Sequence, residues 1–352
     1  MLCAMRLRLA VVAPSTFPCV RGNAVTVDRI TRGLRERGVD LRVWDASATP
    51  VSIIEREVAA FRPSLVHAFH AYRVGPLGLR LARQAEIPFV VTMTGTDANH
   101  DLFHPERAPA VQRVLEGAAA VVVFHESIGA RVAERLPHVA SRLHVVPQAA
   151  AFRGTEPFDL AARWSLPPDR VLFVLPAGVR PVKRPRLPLG PLGRIAARRP
   201  QVRLLYVGPV LDPHEGEALL QALDGVGWAR YLGPVPHAQM PSVLRQSDVV
   251  LNCSLSEGGM ANSVLEALAF GRAVLAADIE GNRSLIEDGV TGLLFRDEAE
   301  FEARAEALAS DPALRRRLGA AGRALVERRY PPGREVDGYL ALYRSLAVVR
   351  AT

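Results

Sequence analysis

The chain of 352 residues is long enough for two domains of ordinary size, and 49% hydrophobic residues can supply a core to each. Aromatics at 6% leave little for base-stacking platforms and argue against a nucleic-acid partner. The net charge of +8 is nearly all arginine, Lys183 being the single lysine; such basicity suits phosphate ligands, polyanions or a membrane surface, or marks merely solvated faces.

Cys3, Cys19 and Cys253 are odd in number and widely spaced, so neither a disulfide framework nor a structural zinc site is expected, and a reducing cytoplasm fits best. No run nears the roughly 18 apolar residues of a spanning helix. Arg6 and Arg8 precede residues 9–13, a run too short for a signal-peptide core. Basic clusters at 180–186 and 315–317 leave room for peripheral association with the inner face of a membrane; the second has Leu314, Leu318 and Leu325 at helical spacing and reads as the wet side of a helix.

Residues 7–13 read as a buried first strand. Val27, Ile30 and Leu34 share a helix face that Gly38 ends. Further strands are expected at 41–44, 65–69, 89–93 and 121–124, with helices near 77–84, 110–115 and 128–136 between them. Strands buried on both faces and joined by helices imply a doubly wound parallel sheet. The irregular stretch 151–169, with Gly154, Pro157, Pro167 and Pro168, suggests a boundary. The alternation then restarts with strands at 171–175, 204–207, 228–232, 249–251 and 274–276, helices at 241–245 and 263–270, and a mostly helical end. The domains are placed at 1–160 and 161–330, with a final segment 331–352. Both are α/β and Rossmann-like, and in such sheets ligands sit beyond the C-terminal strand ends.

Five strand-end loops are rich in chemistry. The turn 13–23 brings Gly22 and Asn23 to a helix start, where an anion is favoured; it is not Gly-x-Gly-x-x-Gly, so no nicotinamide dinucleotide is implied. Next, the pair His67 and His70 ends a strand and could do acid–base work or bind metal, although no third ligand is near; His70 could line a cleft, whereas His67 reads as a satisfied core or pocket histidine. In 92–101, Thr94, Gly95, Asp97 and Asn99 could hydrogen-bond a sugar or an acceptor, or Asp97 and Asp101 could simply cap a turn. After the first strand of the second half, Gly178, Arg180 and Lys183 could meet a diphosphate, or form a solvated basic loop. Last, Glu257 and Glu266 bracket a turn with Gly258 and Gly259 that opens into a helix capped by Asn262 or Ser263. Such a turn can hold a sugar nucleotide, its dipole favouring developing negative charge.

With these loops together, the chain resembles the GT-B retaining glycosyltransferases of family 4, the glycosyltransferase group 1 type. The carriers are Glu257-Gly258 through Glu266-Ala267-Leu268, Gly281-Asn282, and Asp288-Gly289-Val290-Thr291-Gly292. Within the family it looks most like the small glycosyltransferase-1-domain-containing proteins. It is also similar to bacterial selenosugar synthases through Thr94-Gly95-Thr96-Asp97 and Arg180-Pro181-Val182-Lys183.

The resemblance implies two Rossmann-like domains facing a cleft, the final helix crossing back onto the first domain. It implies a hexosyl-type transfer from a nucleotide-sugar, a UDP-sugar by preference, to an unidentified acceptor. Glu257 would meet the donor sugar and Glu266 the ribose. Gly259, Met260, Ala261 and Asn262 would offer amides, Gly22 would approach the phosphates, and the segment ending at Val235 would hold the base. Arg180 and Lys183 would stabilise the departing diphosphate, with no metal and no cofactor. Acceptor-side residues would be His70, Thr94, Asp97 and Asn99. Three departures stand out: one more residue lies between the glutamates than the family pattern has, Thr94 stands where many members carry histidine, and Arg180 and Lys183 are closer together than the usual arginine–lysine pair. Two rival readings remain, a selenosugar or thiosugar synthase and a non-catalytic sugar-nucleotide-binding protein.

Overall fold

Leu9, Ala10, Val11, Val12 and Ala13 are all fully buried, as only a strand inside a sheet covered on both faces allows. A computed structural model describes residues 7–18 and 22–348; Cys3, Arg6 and Cys19 lie outside them. The chain divides into two units, one running to Gln148 and resuming at Pro332, the other spanning Ala149–Pro331.

The first unit runs β1 (Arg8–Ala13), α1 (Gly22–Glu36), β2 (Asp40–Asp45), α2 (Val51–Phe61), β3 (Leu65–Phe69), α3 (Gly75–Gln84), β4 (Phe89–Thr92), α4 (Thr96–Asn99), α5 (Ala108–Gly117), β5 (Ala120–Val123), α6 (Glu126–Arg135) and β6 (Leu143–Val145). Its six-stranded sheet has the order β2-β1-β3-β4-β5-β6, with every pairing parallel. Successive β1 residues serve opposite faces: Ala10 and Val12 pack with Ile54, Val58 and Phe61 of α2, Leu9 and Val11 with Ile30 and Leu34 of α1.

In the second unit come β7 (Val171–Pro176), α7 (Leu189–Arg198), β8 (Val202–Val207), α8 (Pro213–Leu223), β9 (Ala229–Gly233), α9 (Met240–Gln246), β10 (Val249–Asn252), α10 (Asn262–Ala269), β11 (Ala273–Ala277), α11 (Glu280–Arg283), β12 (Leu293–Phe295), α12 (Glu298–Ser310) and α13 (Pro312–Arg329). Its sheet order is β12-β11-β10-β7-β8-β9, again all parallel. Counted within the unit and read from β9, this is 3-2-1-4-5-6, the dinucleotide-binding order.

The last helix, α14 (Pro332–Val348), packs on the first unit, where Val336, Tyr339 and Tyr343 join Leu9 and Ile30 in one cluster. Conversely, residues 151–160, placed with the first domain on sequence, belong to the second: Phe158 and Leu160 fill a face of its sheet against Leu172, Val174 and Leu205. The stretch lacks periodicity because it is irregular, yet its apolar side chains cover that sheet.

The two orders fix where ligands can approach. Strand order reverses between β7 and β10 in the second unit and between β1 and β3 in the first. At such switch points the loops leaving the C-terminal strand ends diverge to opposite faces and leave a crevice.

Candidate functional site

The loops after β7 and β10, which flank the second switch point, are tied together. Leu255 N–H donates to Val182 O at 2.8 Å, and Arg184 Nε donates to Cys253 O at 2.7 Å. Between them the Lys183 ammonium pairs with Glu257 Oε1, both side chains largely buried. The same oxygen accepts from Ser254 Oγ at 2.7 Å and Asn252 Nδ2 at 3.1 Å. Burial pushes the Glu257 carboxyl up, but the Lys183 charge and these hydrogen bonds outweigh it, so the group sits below its ordinary value and stays ionised.

Asn252 is fixed in turn: its Oδ1 accepts from Ser254 N–H at 3.1 Å and from Asn282 Nδ2 at 3.3 Å. Gly281 lies so close that a Cβ there would stand 2.5 Å from Glu257 Cβ, which leaves room for glycine alone. Nothing in the sequence spacing marks Asn252 and Ser254 as the groups that hold Glu257, or Asn282 as the one that holds Asn252.

Glu266, in the second turn of α10, meets a different partner. His237 Nε2 lies 2.9 Å from its Oε1, and the imidazole stacks on Phe152 with centroids 4.8 Å apart. Phe152 is in the stretch first assigned to the other domain. His237 was missed; it lies two residues beyond Val235, in a short turn before α9 with no periodic signal. Val235 itself is buried in the core with Val207 and Val243, so only its backbone is available to a ligand.

The turn between the glutamates bends at 258–260, and Gly259 takes φ 111°, a torsion other residues resist. Met260 and Ala261 are buried and present only backbone. The expected cap is corrected: Ala261 occupies the N-cap position of α10, no side chain caps it, and Asn262 is already the first helical residue. The helix start, with Ser263 and Val264 in its first turn, thus lies beside Glu257. Arg180 stands at the entry to the 181–183 turn in extended backbone, three residues from Lys183.

In the first unit the loops after β3 and β4 are built around Asp97. Its Oδ1 accepts from the N–H groups of Thr94 (2.9 Å), Gly95 (2.8 Å) and Ala98 (3.1 Å), and its Oδ2 from Ala71 N–H at 2.7 Å. This carboxylate is wholly buried and taken up by backbone amides, so it clamps two loops; it does not cap α4, and Asp101 does not cap the turn that follows. Asn99 Oδ1 accepts from Arg131 at 2.6 Å.

His70 takes φ 108° without being glycine, a strain of order 1–3 kcal/mol held by its surroundings. It is buried, its N–H donates to Thr92 O at 2.9 Å, and its carbonyl accepts from Gly75 N–H at 3.0 Å at the start of α3. His67 is a core residue, between Tyr343 OH at 2.6 Å and Thr92 Oγ1 at 2.8 Å. Gly22 is the first residue of α1, exposed, with Asn23 beside it; Val20 and Arg21 lie outside the described residues.

The structure therefore gathers Lys183, Glu257 and the start of α10 at one switch point; in the first unit His70 follows β3, which flanks the other switch point, and Thr94 follows the neighbouring β4. Among the described residues no helix is long and apolar enough to cross a membrane.

Residues 168–311 match the family described as Glycosyl transferases group 1, and residues 46–150 match Glycosyltransferase Family 4. The glycosyltransferase 1 domain-containing protein 1 of Xenopus tropicalis is 30% identical over 342 residues, covering 94% of this chain and 97% of that protein. A D-inositol 3-phosphate glycosyltransferase of Segniliparus rotundus is 30% identical over 305 residues, 81% of this chain and 67% of that one. Among solved structures, HepE of Anabaena in complex with UDP and glucose superposes with a TM-score of 0.78 at 16% identity, covering 96% of this chain and 100% of that one. Sucrose-phosphate synthase of Thermosynechococcus elongatus gives 0.81 at 19% identity, covering 98% and 100%. The two parallel Rossmann-like sheets are those of the GT-B fold, and with nearly the full length aligned to its frog relative the chain belongs to the group 1 glycosyltransferases of family 4.

Proposed function

We propose that this chain is a retaining glycosyltransferase that takes its sugar from a UDP-sugar bound on the second unit, at the switch point between β7 and β10. The observation that carries the reading is the Lys183–Glu257 pair, joined by Ser254 and Asn252 and set beside the start of α10. Glu257, held ionised, offers acceptor oxygens to the hydroxyls of the donor sugar. Lys183 and Arg180 offer positive charge to the diphosphate, and the start of α10 adds its dipole. Glu266, oriented by His237, faces the ribose. HepE of Anabaena, solved with UDP and glucose, supports a donor of this class.

In the transfer, the bond from the sugar's anomeric carbon to the diphosphate oxygen breaks, and its electron pair leaves with the nucleoside diphosphate. The acceptor oxygen bonds to the same carbon on the same face. Its proton passes to a departing phosphate oxygen, so the protein need supply no base and no metal. Charge develops on the diphosphate, where fixed donors and cations lower the barrier most.

Lys183→Ala should cut kcat by about 10²–10³-fold, the scale of losing one preorganised electrostatic partner. Glu266→Ala should raise the KM for the donor with a smaller effect on kcat. Both should keep the wild-type circular dichroism spectrum, and EDTA should leave the rate unchanged. Full activity in both variants sinks the assignment, and inversion of the anomeric centre in the product sinks the retaining course.

A further inference from the structure

Glu266 projects from the second turn of α10, with 13% of its side chain exposed. Its Oε1 accepts from His237 at 2.9 Å; a carboxylate has no proton to give, so the imidazole donates from Nε2. Among the described residues Oε2 has no hydrogen-bond partner. An imidazole N–H lies in the plane of its ring, and the torsion that turns the ring is broad and soft. The bond to Glu266 is therefore only as well aimed as that plane is fixed. Phe152 fixes it: its ring stacks on the imidazole with centroids 4.8 Å apart and planes 19° from parallel. The same ring meets Phe270 edge-on, with centroids 5.3 Å apart, and Phe270 is the C-cap of α10. Phe152 thus touches both the partner of the carboxylate and the end of the helix that carries it. It lies in the irregular stretch that follows the entry of the chain into the second unit at Ala149. There it packs against the cluster of Val235 and Met240, which flank the turn bearing His237.

We propose that Phe152 is a positioning residue for ribose recognition: it holds the plane of His237, His237 aims Glu266, and the strength of the preference for a nucleotide with ribose hydroxyls follows from that aim. This rests on the reading that Glu266 faces the donor ribose. Without the stack the ring turns, Nε2–H swings away from Oε1, and Glu266 samples other rotamers. A ribose hydroxyl then meets a carboxylate that must be ordered as it binds, and that ordering is subtracted from affinity. The loss falls on the ribose hydroxyls alone, because a nucleotide that lacks them makes no bond to Glu266. Selection of a ribonucleotide thus depends on a residue outside every strand-end loop of the donor site.

The test compares UDP with 2′,3′-dideoxy-UDP, which lacks both ribose hydroxyls, by isothermal titration calorimetry on the full chain. The wild type should bind UDP about ten- to a hundredfold tighter, the scale of hydrogen bonds to a charged group. Glu266→Ala should abolish that ratio. Phe152→Leu keeps the apolar bulk and removes the stack; it should lower the ratio about three- to tenfold by weakening UDP, with dideoxy-UDP unchanged. Phe152→Tyr, which keeps the stack, should keep the ratio. In a His237→Ala background, Phe152→Leu should have no further effect on it. The positioning role is overturned if Phe152→Leu weakens both nucleotides equally, leaves the ratio unchanged, or lowers it as much without His237. A wild-type chain that binds neither nucleotide, or both alike, strikes the donor reading, as does a ratio that survives Glu266→Ala. A ratio that needs Glu266 and ignores Phe152 strikes the positioning role alone.

Discussion

His67 shows how burial turns a titratable residue into a stability switch. Its imidazole is fully enclosed between β3, β4 and α14, and burial pushes its pKa down from 6.5 to about 3. The folded chain thus holds it neutral while the unfolded chain protonates it below 6.5, so its contribution is complete above that value and lost as pH falls towards about 3. The expected slope is roughly 1.4 kcal/mol per pH unit in that window. Urea unfolding at a series of pH values should show this slope in the wild-type chain and a shallower one in His67→Gln; an unchanged slope assigns the acid sensitivity elsewhere. His67 was legible in the sequence as a core histidine because it sits inside an apolar strand. Asp97 was not: the same residue type at a strand end can face a ligand or gather four backbone amides, and only the folded loop tells which.

At the scale of elements, long periodic segments were plain and short ones were not. Strand 65–69 is recovered in full, because a buried parallel strand is a continuous apolar run. The edge strand β6 went unrecognised since it is three residues long and Val145 is exposed. Helix α2 carried Ile54, Val58 and Phe61 at helical spacing and could have been found. With one more residue between the two glutamates than the family pattern has, the turn bends at Gly259, and Glu257 reaches Lys183 while Glu266 reaches His237. Helix α14 is tied down by more than apolar contact. Arg29 of α1 grips Glu335 with two hydrogen bonds, Nε to Oε2 at 2.7 Å and Nη2 to Oε1 at 2.9 Å, both side chains buried. Removing one partner strands the other's charge, so Glu335→Ala should cost about 3–5 kcal/mol in denaturant unfolding. A loss below about 1 kcal/mol, the worth of a surface pair, would mean that the apolar face alone holds the helix.

For the whole molecule, the donor reading predicts where a ligand leaves its mark. UDP-glucose at a hundred times its Kd should add about 2.7 kcal/mol to the stability of the folded state. Hydrogen exchange should slow at 177–184 and 253–266 and leave β6 unaffected; protection confined to the first unit would move the donor site. The sequence by itself determined the class of fold, the family and the main donor candidates, because parallel strands and glycine turns write their requirements locally, in apolar runs and in residues that no other type can replace. Only the tertiary structure decided which polar groups act together. Lys183 and Glu257 are far apart in the chain and meet because β10 lies next to β7, and His237 finds Glu266 because α9 and α10 pack on the same sheet. The irregular stretch 149–160 joined the second unit for the same reason: it has no period of its own, and its place is set by the sheet face its side chains cover.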